Sequence, residues 1–160
     1  MGLENITSKL SAEDFESLQH LLDACNTLVL ATVDFNGHPY STPLYYCSDD
    51  ELNLYFYSSK ESYHSGHLLD EKNVSVGIFN EHDSINALKG LQIKGCATKI
   101  KEKFKNEAKE LYLSKFEPII KREFIELEIA SKNCYKICPS WIKMVDNSVK
   151  FGFKQEWECE

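Results

Sequence analysis

Residues 27–79 constrain the fold more than any other stretch, because turn residues cut them into short strands that must reverse on one another. TLVLATV is rich in β-branched residues and runs into Asp34-Phe35-Asn36-Gly37, where Asn-Gly favours the positive φ of a tight hairpin. PYSTPLYYC follows, ending at the polar break Ser48-Asp49-Asp50-Glu51. LNLYFYSS then places Leu52, Leu54 and Phe56 on one face and Tyr55 and Tyr57 on the other. The pattern predicts an antiparallel meander of three strands, then a short helix capped by Ser62 with Leu68 and Leu69 inward, then a fourth strand over residues 74–79.

The flanking sequence predicts helices around this meander. Ser11-Ala12-Glu13-Asp14 reads as a capped helix start, with Phe15, Leu18, Leu21, Leu22 and Cys25 on one stripe. After a polar excursion at 80–89, residues 90–100 form a long strand in which Gly95 marks a bulge or a close backbone approach. From Lys101 the period turns helical, with Phe104, Ala108, Leu111 and Tyr112 on a stripe, until Pro118 starts another helix through Phe124 and Leu127. Strands return at 133–138 and 142–146 around a turn at Pro139-Ser140-Trp141, and a last strand spans 149–153. The expected fold is mainly β with helices (α+β): an antiparallel barrel with helices on its outside and ends.

At 160 residues, 42% of them hydrophobic, the chain suits a single domain over 1–160 with one core. Its net charge of −7 and scattered basic residues argue against a nucleic-acid partner. The lysines between 99 and 109 alternate with Glu102 and Glu107 and read as a solvated helix start with local ion pairs. The six cysteines show no zinc-type spacing, so no metal site is expected, and Cys25, Cys47 and Cys96 read as small core hydrophobes. No apolar run reaches transmembrane length and no signal-peptide core opens the chain, so a cytoplasmic protein with reduced thiols and no membrane partner is expected.

Ser58, Ser59, Lys60, Ser62, His64 and His67 gather hydroxyl, ammonium and imidazole groups around the start of the short helix. By themselves they make a polar turn with a helix cap, and His67, one turn along, reads as a surface residue. Unsatisfied N–H groups at a helix start also favour an anion, so the same residues suit a phosphate.

The order of these segments resembles the flavin-binding split barrel of the pyridoxine 5′-phosphate oxidase-like superfamily. The likeness rests on the LAT strand with Gly37-x-Pro39, on Tyr57-Ser58 followed by Ser62-Tyr63-His64, on LKGLQIKGCATKI, and on the closing CYKICPSWIKMVDNSVKFGFKQEW. It implies an antiparallel split β-barrel of the type that binds flavin mononucleotide (FMN). It implies a phosphate site at Tyr57, Ser58, Ser59, Lys60, Ser62 and His64, and a flavin ring flanked by Tyr40, Ser41, Thr42, Pro43, Leu44 and Tyr45. It also implies a homodimer with flavin between the subunits, for which Trp141, Phe151, Phe153 and Trp157 are candidate interface residues. Three departures weaken the oxidase pattern. Thr42 stands where the oxidases carry an Arg, and Tyr63-His64 where they carry Arg-Lys. The Gln they use near the ring falls at Gly90, with Gln92 two residues on. A hydroxyl and an imidazole replace a bidentate guanidinium only partly, which counts against a vitamin B6 phosphate substrate.

No Ser/His/Asp, Cys/His or paired-carboxylate constellation is recognisable, so any chemistry would come from the flavin. The resemblance therefore implies an oxidoreductase or flavin reductase acting on an unknown small molecule. A non-catalytic sensor or carrier of flavin or haem, and a cofactor-free dimer, are the alternatives.

Overall fold

The computed structural model describes residues 5–159. Strands β1 (Thr27–Val33) and β2 (Pro39–Tyr45) form the expected hairpin. Asp34 organises its turn, with Oδ1 accepting the N–H groups of Asn36 and His38 at 2.8 and 2.9 Å. Gly37 takes a φ of 86° there, a region that side chains with a Cβ rarely enter.

The second strand of the meander breaks at Tyr46. That side chain is fully buried and its hydroxyl donates to the Leu22 carbonyl at 2.8 Å, anchoring the chain as it leaves β2. The next two residues, β3 (Cys47–Ser48), pair with β4 (Leu54–Ser58). With β5 (Asn73–Phe79), β6 (Lys89–Lys99), β7 (Asn133–Asp146) and β8 (Lys154–Glu158), the sheet runs β2-β1-β5-β6-β7-β4-β3, with β8 beside β7. Because β2 and β3 adjoin in sequence yet end opposite sides of that order, the sheet must curl until its edges approach. The result is the expected antiparallel split barrel.

Alternation fills the barrel from every strand. Leu30, Phe56, Val76, Ile93, Ile137 and Ile142 meet in one core, and burying each such side chain contributes about 1.5–3 kcal/mol before entropy is counted. Helix α1 (Ala12–Ala24), capped by Ser11, sends Leu18, Leu21 and Leu22 into the same core. Helix α2 (Tyr63–Asp70) begins at the cap Ser62 and buries Leu68. Leu69, expected inward beside it, is exposed, since neighbouring helical residues project about 100° apart. Helices α3 (Lys105–Phe116) and α4 (Arg122–Ile129) cover the outer face of β3 and β4, where Tyr112, Leu113, Phe116, Ile125 and Ile129 surround Cys47.

Several elements differ from expectation for local reasons. Residues 133–146 form one strand rather than two, with Pro139 inside it. Pro139 lies in the gap between the segments of β7 that pair with β4 and with β8, so on that side its missing N–H breaks no ladder bond. Toward β6 the register shifts between Lys94 and Gly95, leaving Ser140 as the extra residue. Gly95 is thus both bulge and close approach, since a Cβ there would lie 2.4 Å from the Cys138 carbonyl oxygen. Pro118 sits in a turn; α4 starts only at Arg122 and buries Ile125 and Ile129, leaving Phe124 and Leu127 exposed. Residues 149–153 are turn rather than strand, because Asp146 and Asn147 accept the N–H groups of Ser148 and Gly152. Cys96 is exposed on the outer face rather than buried in the core.

Candidate functional site

The start of α2 is a cluster of hydroxyls. Alternation along β4 turns Ser58 inward, and the turn after it brings Ser62 to 3.0 Å from Ser58 Oγ. Ser62 caps the helix by accepting the Ser65 N–H, and its Oγ lies 2.8 Å from Ser65 Oγ. His64 fills the space beneath: it is buried, with Nε2 2.6 Å from Ser58 Oγ and 3.2 Å from Ser62 Oγ. Burial, and then the neighbouring His67, holds its pKa below the ordinary histidine value and favours the neutral ring. Ser59 and Lys60 are exposed in the turn above the hydroxyls.

His67 is not the surface residue expected from its position. Its Nδ1 lies 2.9 Å from Oγ1 of the buried Thr32, so it ties α2 to β1. On the same side Tyr40 of β2 meets Tyr63 and His67, with ring centroids 5.9 and 5.6 Å apart. The helix start therefore faces β2, the strand that ends the sheet order and carries unpaired backbone groups along one edge.

The other expected site residues divide between two faces. Thr42 and Leu44 pair with the buried Leu30 and Leu28 and share the inner face of β2, whereas Pro43 and Tyr45 project from the outer face. Gln92 is exposed on that outer face, in a cross-strand row with Pro43, Val29, Gly77 and Lys143. Tyr45 packs edge-on against Phe116. Tyr57 also turns outward, beneath α3, with its ring 5.0 Å from that of Tyr112, and burial raises its pKa. The structure thus brings Ser58, Ser59, Lys60, Ser62 and His64 together and leaves Tyr57 and Gln92 apart from them. Thr32 was not among the expected site residues and His67 was expected at the surface, because only the pairing of β1 with β2 and the seating of α2 make them neighbours of each other and of Tyr40.

Of the candidate interface aromatics, Trp157 belongs to the barrel core instead, opposite Ile142 on β8. Phe151 is exposed, while Trp141 and Phe153 are half-buried. Among the described residues no three or more His, Cys, Asp or Glu side chains are placed to hold a metal, and no helix is long and apolar enough to cross a membrane.

Comparison with solved structures places this arrangement among known folds. A heme binding protein from Mycobacterium smegmatis matches with TM-score 0.74 at 14% identity, covering 90% of this chain and 57% of that one.

HutZ, the heme storage protein from Vibrio cholerae, matches with TM-score 0.62 at 17% identity, covering 80% of this chain and 89% of that one. A Listeria innocua protein proposed to be a pyridoxamine 5′-phosphate oxidase matches with TM-score 0.63 at 21% identity, covering 82% of this chain and 98% of that one. At these identities the likeness concerns the fold alone. A search of curated proteins finds no match. The model of the family described as "Pyridoxamine 5'-phosphate oxidase" matches residues 15–138, which include β1 to β6, all four helices but the first turn of α1, and the hydroxyl cluster. By that match over most of its length, the chain belongs to the pyridoxamine 5′-phosphate oxidase family of split barrels.

Proposed function

We propose that the protein binds FMN as a homodimer and works as an oxidoreductase or flavin reductase on a small molecule. The observation that carries this reading is the hydroxyl-lined start of α2 facing the free edge of β2. Ser58, Ser62 and the first N–H groups of α2 suit a phosphate, and exposed Lys60 supplies the positive charge that Thr42 and His64 do not. Unpaired backbone groups of β2 suit the polar edge of a flavin ring. Bound flavin would supply the redox chemistry, while the protein groups orient it and exclude water.

The dimer has its own support. Val29, Tyr45 and Phe79 leave apolar surface open on the outer face of the barrel, at 36%, 61% and 56% exposure, beside the unpaired strand edge. Titration of the protein with FMN and with riboflavin, followed by fluorescence quenching, tests the phosphate site. FMN is expected to bind at least tenfold more tightly, and equal affinities would remove the site.

A further inference from the structure

Beyond the FMN reading lies a second cavity, of about 1210 Å³, on the other side of α2. While His67 and Tyr63 face β1 and β2, Ser65, Leu68 and Leu69 line this cavity. Six lysines converge on it: Lys60, Lys72, Lys99, Lys101, Lys103 and Lys136. They come from the turn before α2, the turn after it, the end of β6, the turn before α3, and β7, so the gathering is a product of the tertiary fold.

Among the described residues only two carboxylates, Asp49 and Glu107, line the same space, in a chain whose net charge is −7. Asp49 is already engaged, accepting from the Asn53 amide and the Tyr55 hydroxyl. Lys105 pairs with Glu102 within the segment, as expected, whereas Lys109 pairs with Glu126 across on α4. Lys60, Lys72, Lys99 and Lys101 form no ion pair among the described residues. A gathering of ammonium groups around one space favours an anion carrying several charges. The wall is also apolar in part: Phe104 and Leu69 line it while 46% and 81% exposed, and Lys136 lies 5.7 Å from the Tyr55 ring centroid.

We propose that this cavity binds a nucleoside polyphosphate, its phosphates among Lys72, Lys99, Lys101, Lys103 and Lys136 and its base against the apolar wall. Several charges suit five lysines better than a monoanion does, and a base would share the apolar wall of Leu69 and Phe104, over whose ring Lys103 Nζ lies 4.6 Å from the centroid.

Isothermal titration calorimetry with ATP, inorganic triphosphate and adenosine tests the site. ATP is expected to bind more tightly than either fragment, and Lys101→Gln with Lys136→Gln to weaken it at least tenfold. FMN affinity should stay unchanged in that double variant, as should ATP affinity in Lys150→Gln, which alters an exposed lysine outside the cavity. In the unaltered protein, ATP should protect Lys101 and Lys136 from acetylation but not Lys150. No ATP binding, triphosphate binding as tight as ATP, or equal protection of all three lysines would overturn the proposal.

Discussion

His64 Nε2 lies 2.6 Å from Ser58 Oγ, so the imidazole of the phosphate-type helix is turned into the protein. Burial, and then His67, depresses its pKa, which links the ring's burial to stability. The unfolded chain binds the proton more readily, so stability falls as pH drops below the ordinary histidine value of about 6.5 and levels off below the folded-state pKa. Urea unfolding midpoints measured across this range should show the decline, and His64→Gln should remove this component. An unchanged pH profile in His64→Gln would refute the assignment.

The inner face of β2 offers a gain of function. Thr42 stands where the oxidases carry an Arg, and it shares that face with Tyr40, which contacts α2. Thr42→Arg should strengthen FMN binding by about 1.5–3 kcal/mol, the worth of a charged hydrogen bond, or roughly one to two decades. Fluorescence titration of the variant measures it.

Two glycines should respond oppositely to alanine. A Cβ at Gly95 meets the Cys138 carbonyl oxygen at 2.4 Å, whereas one at Gly66 in α2 meets nothing within 4 Å. Gly95→Ala should destabilise by about 1–3 kcal/mol through overpacking. Gly66→Ala should stabilise by about 0.5–1 kcal/mol through helix propensity. Denaturant midpoints of both variants decide the matter.

Cys96 and Cys138 stand directly opposite each other on β6 and β7, and both are exposed free thiols. Opposed antiparallel residues have Cα atoms about 4.5–5.5 Å apart, within disulfide range. Oxidised glutathione should join them: one thiolate displaces a glutathione thiol, and the second cysteine displaces the other. Thiol counting should show two groups lost, and Cys96→Ser should prevent the cross-link. Because burial raises the Cys138 thiol, exchange through it should quicken at alkaline pH.

The sequence by itself determined β1, β4, β5, the hairpin turn after β1 and the cap of α2, because alternation, Asn36-Gly37 and Ser62 act over a few residues. Ser58 and Ser62 were legible as neighbours for the same reason, since four residues and one turn separate them. Pro139 misled the reading because its cost depends on which neighbouring strand needs its N–H, and only the gap between β4 and β8 answers that. Likewise His67 became a tether only when α2 settled against Thr32, and Tyr57 and Gln92 left the site once sheet curvature set the two faces apart. The six lysines fall in separate stretches, 60–72, 99–103 and 136, and long-range strand pairing brings those stretches around one cavity. Local patterns encode conformation, whereas the meeting of remote side chains is decided by how the sheet closes.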